Sequence, residues 1–78
     1  MKNLVLEIIN EIIVGKGLPA LTEIEVSMDS DLRSDFGLDS LDLAVLTVKI
    51  EDRTNVDVFE NGIITTFGEI VELLENVK

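Results

Sequence analysis

The chain has 78 residues, of which 46% are hydrophobic, and its formal net charge at pH 7 is −10. A chain of this length supports one small core, so we expect residues 1–78 to form a single domain. The absence of cysteine excludes disulfides, zinc–thiolate sites and cysteine nucleophiles, and the absence of histidine removes every Ser-His or Cys-His pair. We therefore expect neither catalytic activity nor a bound metal ion.

The acidic charge indicates which partners the protein can have. A strongly negative surface repels nucleic acids and anionic lipids and attracts proteins with a basic patch, although acidic residues also simply keep a small apolar protein in solution. Glu7 and Glu11 interrupt the apolar N-terminal stretch, no cleavage site follows it, and no segment is long enough to span a bilayer. We expect a cytoplasmic monomer that neither binds nucleic acid nor inserts into a membrane.

The first helix is predicted by apolar residues that recur at helical spacing: Val5, Ile8, Ile9, Ile12 and Ile13. Polar residues gather on the opposite side of this helix: Asn3, Glu7, Asn10 and Glu11. Gly15 is expected to end the helix as a left-handed cap, and Pro19 blocks its continuation.

Residues 15–38 form a long connection that is richer in apolar residues than a disordered linker. These residues are spread along it: Leu18, Leu21, Ile24, Val26, Met28, Leu32 and Phe36. We expect a loop that packs against the core, with one short helical turn near Asp31. Its acids do not make a calcium site, because an EF-hand loop that starts at Asp29 would have a cation, Arg33, at a ligand position.

The second helix is predicted to begin with Asp39 as N-cap and Asp42 as the acidic residue of the first turn. Its apolar residues lie almost all round it: Leu41, Leu43, Ala44, Val45, Leu46, Val48 and Ile50. Such a helix is expected to be the central one of the fold. Asp42, Lys49 and Arg53 share one polar edge.

The segment of residues 56–67 is rich in β-branched residues and contains Asn61-Gly62, so local propensity alone predicts a β-hairpin there. The last helix is clearer, because Thr66 and Glu69 form a capping-box pattern ahead of an apolar series. That series is Ile70, Val71, Leu73, Leu74 and Val77.

Ser40 has two alternative roles at the start of the second helix. Serines at such positions mostly satisfy backbone N–H groups as caps. Asp39 can fill that role, which would leave Ser40 at the first helical position with its hydroxyl pointing outward. Phosphate is favoured beside the free N–H groups there, whereas a catalytic serine would lack a base. The residues thus permit a phosphate attachment without requiring one.

The stretch FGLDSLDL, residues 36–43, resembles the attachment motif of acyl carrier proteins, in which an Asp-Ser-Leu triplet opens the second helix. The stretches DLRSDFGLDSLDLAVLTVKIED and ITTFGEIVELLE resemble the family's second helix with its preceding loop and the family's final helix. The resemblance implies an all-α fold, a small four-helix bundle with a short third helix and a long loop between helices one and two. It replaces the hairpin prediction for residues 56–67 and places Asn61-Gly62 at the end of the short helix.

The resemblance also implies roles for residues. Ser40 would receive phosphopantetheine from coenzyme A through a phosphodiester, with Asp39 and Leu41 flanking it in the motif that the phosphopantetheinyl transferase reads. The carrier domain would then present acyl groups, held as thioesters, to acyl-loading and acyl-processing enzymes with basic docking patches in fatty-acid, polyketide or other specialised biosynthesis. Partner contacts are expected from these residues of the second helix: Asp42, Ala44, Val45, Glu51 and Asp52.

The second helix departs from the pattern of the fatty-acid carriers that the chain resembles. Val45 stands where those carriers commonly have glutamate, Ala44 where a larger apolar residue is usual, and Thr54 where phenylalanine is frequent. Lys49 and Arg53 dilute the three acidic residues of this helix. These differences favour a carrier that is dedicated to a specialised pathway and docks through a flatter, more apolar surface.

Other functions stay open at this point. The nearest is an aminoacyl or peptidyl carrier, since cargo depends on partner enzymes. An alternative of another class is an unmodified acidic helical module that binds a basic partner, and a hydrolase that uses only carboxylates is a distant third. For a carrier, one hypothesis is that a longer acyl chain enters partly between the second and third helices, because an aliphatic core without Trp or Tyr can part to admit it; the alternative is ordinary packing of a helix bundle.

Overall fold

The structure is a computed structural model that describes residues 1–59 and 64–76. Within these ranges the regular structure is helical: α1 (Lys2–Gly15), a 3-10 turn (Glu23–Glu25), α2 (Ser40–Thr54) and α3 (Phe67–Asn76). The all-α class is therefore confirmed. None of these helices is both long and apolar enough to cross a membrane.

The four-helix bundle is not found in the described ranges, which hold three α-helices and no short helix between α2 and α3. Asn61-Gly62, which the resemblance places at the end of that short helix, lies outside the described residues. The nearby Val58 and Ile64 are buried, so β-branched side chains of this segment cover the core. No strand occurs in the described part of the chain, where the one extended pairing is an isolated bridge between Asp31 and Thr66.

The central helix is α1, which packs against both other helices. It buries six apolar side chains: Val5, Leu6, Ile8, Ile9, Ile12 and Ile13. In contrast, α2 buries only Leu46 and Ile50 and leaves Leu41 and Val48 73% and 68% exposed. The prediction that α2 is central is therefore wrong. Apolar residues all round a helix do not reveal which side faces the core, whereas α1 separates its two faces sharply.

The left-handed residue after α1 lies two positions later than predicted. Gly15 is still helical, and Lys16 is the C-cap with an ordinary φ of −88°. The helix continues this far because the N–H of Lys16 still reaches the carbonyls of Ile12 and Ile13, both at 3.1 Å. Gly17, with φ +83°, then takes the left-handed conformation that glycine adopts without strain.

The connection between α1 and α2 is pinned to the core, although three of its seven apolar residues, Leu18, Ile24 and Met28, are exposed and do not pack as predicted. The side-chain amide of Asn10 accepts a hydrogen bond from the N–H of Leu21 at 2.8 Å and donates one to the Leu21 carbonyl at 3.0 Å. Further along, Leu32 and Phe36 are buried. The Phe36 ring meets the Phe67 ring of α3 edge to face, with centroids 6.4 Å apart. The loop is therefore held at both ends.

The loop also contains a 3-10 turn at Glu23–Glu25, which the sequence does not predict. That turn begins with a reciprocal cap in which the Glu25 carboxylate accepts from the Thr22 N–H at 3.0 Å. The short helical turn predicted near Asp31 is confirmed: the N–H of Asp35 donates to the carbonyl of Asp31 at 3.0 Å, and the N–H of Gly37 donates to the carbonyl of Arg33 at 2.9 Å. The Asp31 carboxylate caps this turn, because it accepts hydrogen bonds from the backbone N–H groups two and three residues later.

The start of α3 has the capping box that the sequence predicts. The N–H of Glu69 donates to the hydroxyl of Thr66 at 3.2 Å, and the N–H of Thr66 donates to the Glu69 carboxylate at 3.1 Å. Between them, the N–H of Phe67 donates to the carbonyl of Ser30 at 2.9 Å. These bonds supply acceptors that the helix itself cannot provide and fix α3 to the loop that precedes α2.

At Gly68, the backbone of α3 lies directly against the loop that precedes α2. The N–H of Gly68 donates to the carbonyl of Met28 at 2.8 Å, and a Cβ at this position would lie 2.5 Å from the same carbonyl oxygen. Such a contact is too short for real atoms, so a larger residue would push the backbone of the loop away from α3.

Gly68→Ala is therefore expected to lower the free energy of unfolding by about 1–3 kcal/mol. The matched control is Gly15→Ala in α1, where an added Cβ meets nothing within 4 Å. That variant should be neutral or more stable by up to about 1 kcal/mol, because alanine favours a helix over glycine. Urea unfolding measures both changes, and equal stabilities of the two variants would contradict the close contact.

Candidate functional site

The turn that leads into α2 is built by the acidic loop before it. The Asp31 carboxylate accepts hydrogen bonds from the N–H groups of Ser34 at 2.9 Å and Arg33 at 2.8 Å, and these bonds hold the pKa of Asp31 below its ordinary value. Gly37 has φ +72°, which turns the chain back toward the core. Leu38 follows and is buried, so the chain is anchored just ahead of the helix.

Asp39 and Asp42 cap the start of α2 reciprocally, as the sequence predicts. The Asp39 carboxylate accepts from the N–H of Asp42 at 2.9 Å, and the Asp42 carboxylate accepts from the N–H of Asp39 at 3.1 Å. Both charges also interact favourably with the positive end of the helix dipole. The cap is complete without the hydroxyl of Ser40.

Ser40 is the first residue of α2 and is exposed. Its hydroxyl oxygen accepts a hydrogen bond from the guanidinium of Arg33 at 3.0 Å. Within the described residues Arg33 is the one hydrogen-bond partner of this hydroxyl, and the chain contains no histidine. The hydroxyl is thus presented to solvent beside a cation, and no base of the described residues is hydrogen-bonded to it.

Lys16 locks the turn from the side of α1. Its ammonium donates to the Asp42 carboxylate at 2.6 Å and to the carbonyl of Gly37 at 3.0 Å. This contact, and then the Asp39 N–H, hold the pKa of Asp42 below its ordinary value. The same hydrogen bond to Asp42 raises the pKa of Lys16. One ammonium therefore joins the residues before and after Ser40 to the end of the central helix.

Lys16→Met, which keeps the apolar stem but removes the charge, is expected to raise the pKa of Asp42 toward its ordinary value of about 3.9. Because the folded-state pKa of Asp42 is depressed, its stabilising effect is present above about pH 4 and is lost as the pH falls through the folded-state pKa. The variant should therefore lose less stability on acidification than the original chain.

An NMR titration of the aspartate carboxyl carbons, combined with unfolding at pH 3 to 7, measures both effects. The matched control is Lys2→Met, since within the described residues Lys2 takes part in no ion pair. Its Asp42 titration should be that of the original chain. An unchanged Asp42 pKa in the Lys16 variant would contradict the contact between the Lys16 ammonium and the Asp42 carboxylate, which we call the Lys16 lock.

The outward side of α2 is apolar for most of its length and acidic at its end. We call this surface the α2 face; it consists of the exposed residues Leu41, Ala44, Val45, Val48, Glu51 and Asp52. They follow helical spacing, so they form one continuous strip from the first turn, next to Ser40, to the last. This strip contains four of the five residues that are predicted to contact partners.

Asp42 is the predicted partner residue that lies elsewhere. Its side chain is 15% exposed and is bonded to Lys16 and to the backbone of Asp39. It therefore belongs to the cap of α2 and not to the α2 face.

The two basic side chains of α2 point toward α1, away from the α2 face. Lys49 pairs with Glu11 at 3.1 Å, and Arg53 pairs with Glu11 at 3.5 Å and with Glu7 at 3.8 Å. The prediction that these cations dilute the acidity of α2 is wrong for its outer side. Glu51 and Asp52 form no ion pair among the described residues.

A cavity of about 240 Å³ opens beside Ser40, between the start of α2 and the chain before α3. It is lined by Asp31, Leu32, Arg33, Ser40, Leu43, Phe59, Ile64 and Thr65. At about 30 Å³ for each water, this volume corresponds to roughly eight waters. The cavity lies close to the place where the sequence predicts partial entry of an acyl chain, and that entry stays a prediction.

Two other hollows, of about 390 and 640 Å³, run along α1 and share Asn3, Leu6 and Glu23. They are remote in sequence from Ser40 and contain none of the predicted site residues. No cluster of acidic residues that could hold a metal ion occurs in residues 1–59 and 64–76.

Lys16 and Arg33 are the residues of this site that the sequence does not reveal. Both belong to the six basic residues of the chain, which is the one available signal. The partner of Lys16 lies 26 positions away, and the contact of Arg33 with Ser40 depends on the turn at Gly37. Neither pairing follows from a local pattern.

Comparisons with known proteins agree with this arrangement. Residues 16–75 match the model of the family described as "Phosphopantetheine attachment site". The chain is also 37% identical over 59 residues to a protein named "Acyl carrier protein" from Saccharopolyspora erythraea. That alignment covers 73% of this chain and 59% of the relative, so the chain spans somewhat less than two thirds of the relative's length.

The family match extends over most of the chain, from the Lys16 lock to the end of α3. The chain therefore belongs to the acyl carrier protein family, whose members bear covalently attached phosphopantetheine. Proteins of this family are non-catalytic carriers.

Proposed function

We propose that this chain carries acyl intermediates for a specialised biosynthetic pathway and that Ser40 is the residue to which phosphopantetheine is attached. The observation that carries the proposal is the state of the Ser40 hydroxyl. It is exposed at the first position of α2, the Asp39–Asp42 cap leaves it free, and a guanidinium lies 3.0 Å away. These residues fit a phosphodiester, because both the helix start and Arg33 favour negative charge.

Attachment is a phosphoryl transfer that a phosphopantetheinyl transferase performs on Ser40. The serine oxygen bonds to the phosphorus of the phosphate that bears pantetheine in coenzyme A, the bond between the two phosphates breaks, and adenosine 3′,5′-bisphosphate leaves. The serine proton passes to the transferase, since among the described residues no base accepts a hydrogen bond from the Ser40 hydroxyl. When bound, the arm supplies a terminal thiol that holds acyl groups as thioesters.

The chain itself contributes rigidity and recognition to this function. Asp39 fixes the start of α2, so that the attachment point is presented in one orientation. Leu41 is 73% exposed directly beside Ser40 and offers the transferase an apolar contact. Because members of the acyl carrier protein family are non-catalytic carriers, we infer that the protein has no enzymatic activity of its own.

The α2 face is the surface that we propose for docking of enzymes. Its apolar part, with Leu41 and Val48 most exposed, can bury area against a partner, and its acidic end can meet a basic patch. Lys49 and Arg53 do not interfere, since both pair with α1. The net charge of −10 favours basic partners over the whole surface.

The composition of the α2 face supports a specialised pathway over housekeeping fatty-acid synthesis. Ala44 and Val45 extend the apolar strip where the resemblance to fatty-acid carriers leads us to expect a larger apolar residue and an acid. The name of the Saccharopolyspora erythraea relative, "Acyl carrier protein", supports an acyl cargo over an aminoacyl or peptidyl one. The cytoplasmic location and the monomeric state stay predictions.

Incubation with coenzyme A and a phosphopantetheinyl transferase of broad specificity tests the attachment. Intact-mass spectrometry should show the gain of one phosphopantetheine on the original chain and on Ser34→Ala, which removes another exposed serine of the same region. Ser40→Ala should show no gain, because it removes the accepting oxygen and leaves the Asp39–Asp42 cap in place.

Circular dichroism first checks that the original chain is folded. If several transferases then fail to modify it, the proposal is contradicted. That result would favour the alternative of another class, an unmodified acidic module that binds a basic partner. A gain that persists in Ser40→Ala would instead place the arm on another residue.

The same transferase provides a probe of the α2 face. The double variant Glu51→Gln/Asp52→Asn should raise the KM of the transferase for the carrier about two- to thirtyfold at low salt, since exposed charge pairs contribute roughly 0.2–1 kcal/mol each. The turnover number should change little, and the difference should shrink at high salt.

The matched control is Glu72→Gln/Glu75→Gln, which removes the same charge from exposed positions of α3. Its KM should stay close to that of the original chain. If both double variants raise KM equally, binding depends on total charge, and the proposal that the α2 face is the docking surface is wrong.

A further inference from the structure

We propose that Arg33 is a phosphate-binding residue that holds the first phosphodiester of the arm against the body of the carrier, over the cavity beside Ser40. This inference rests on the proposed attachment at Ser40 and adds to it a residue of this chain that the attachment motif does not contain. Three observations carry it: a contact, an unused set of donors, and the position of the side chain at the rim of a cavity.

The contact is the hydrogen bond of 3.0 Å from the Arg33 guanidinium to the Ser40 oxygen. Modification converts that oxygen into the ester oxygen of a phosphodiester, whose two unesterified oxygens lie on the next atom. A guanidinium already within hydrogen-bond distance of the ester oxygen can reach them through a small rotation. Planar guanidinium groups match the geometry of phosphate oxygens and bind them with two parallel hydrogen bonds.

The donors of Arg33 are available for this contact. A guanidinium has five N–H groups, and among the described residues the bond to Ser40 is the one that this guanidinium makes. Three other basic side chains are already bound to carboxylates: Lys16, Lys49 and Arg53 each form an ion pair. Within residues 1–59 and 64–76, Arg33 forms no such ion pair.

Carboxylates surround Ser40, so a positive charge beside the phosphodiester reduces electrostatic repulsion. Asp39 and Asp42 flank Ser40 on both sides, and Asp31 lies on the rim of the same cavity. A phosphodiester adds another negative charge to these carboxylates in a chain of net charge −10. Arg33 is the basic side chain that the structure places at the attachment oxygen, so it offsets this repulsion.

Arg33 also sets the direction of the arm. Its side chain and Ser40 both line the cavity of about 240 Å³, together with apolar groups such as Leu43 and Ile64. A phosphodiester held by Arg33 starts the arm at the rim of this cavity, whereas an unheld one points freely into solvent. The fraction of time that the arm is held is therefore adjustable by salt and by partners that compete for the guanidinium.

The test uses the full chain and its variants Arg33→Gln, Arg33→Lys and Arg53→Gln, each loaded from coenzyme A and checked by intact mass. Arg53→Gln is the matched control, since it removes the same charge from the last turn of α2. The readout is the transverse relaxation rate of the phosphodiester ³¹P nucleus, which rises when the phosphate tumbles with the protein.

In Arg33→Gln the ratio of held to free arm is expected to fall about two- to fivefold, as is usual for the loss of one exposed charge pair. Its ³¹P relaxation rate should move toward that of free phosphopantetheine, with Arg33→Lys between the two and Arg53→Gln unchanged. Raising the salt from about 0.05 to 1 M should lower the rate in the original chain and leave Arg33→Gln nearly constant.

A second readout needs no variant. The chain has two arginines, and loading should shift the Nε–H resonance of Arg33 while that of Arg53 stays in place. The role of Arg33 would be overturned if both the original chain and Arg33→Gln load completely, their ³¹P relaxation rates are equal, and the rate of the original chain does not depend on salt. That result would leave attachment at Ser40 intact. Absence of loading in the original chain would overturn both.

Discussion

The reciprocal hydrogen bonds between Asp39 and Asp42 determine what the Ser40 hydroxyl is free to do. A helix start has N–H groups that need acceptors, and a serine at this place usually supplies one. Here the carboxylates of Asp39 and Asp42 accept hydrogen bonds from each other's backbone N–H groups at 2.9 and 3.1 Å. The hydroxyl of Ser40 is therefore not needed to cap the helix. An attachment point must be exposed, fixed in orientation and dispensable for folding, and this cap gives Ser40 all three properties.

The other parts of the site support this cap from outside. Lys16 bonds to the residues on both sides of Ser40 and connects them to α1, the helix with the largest buried face. The loop that carries Arg33 is fixed to α3, because the N–H groups of Phe67 and Gly68 donate to its carbonyls. Each helix thus holds one side of the turn. Lys16, Lys49 and Arg53 form ion pairs between α1 and α2, so these positive charges do not lie on the outer surface of α2, which is apolar and acidic.

Much of this arrangement could be read from the sequence, because it is local. The first helix, the Asp39–Asp42 cap and the Thr66–Glu69 cap depend on residues a few positions apart, and the structure contains all of them. The central position of α1 could not be read, since the apolar residues of α2 do not tell the core from an outer face. The short third helix is not among the described residues, and the bonds of Lys16 and Arg33 to the turn are set by tertiary packing.

The central claim is that the turn is rigid before any modification, so that Ser40 is presented in one orientation. Backbone ¹⁵N order parameters of residues 37–43 in the unmodified chain test this most directly. We predict values near those of the helix interiors, about 0.85, for every amide of this stretch. Values below about 0.6 in the same stretch, with α1 and α3 well ordered, would show that the cap and the Lys16 lock do not hold Ser40 in place.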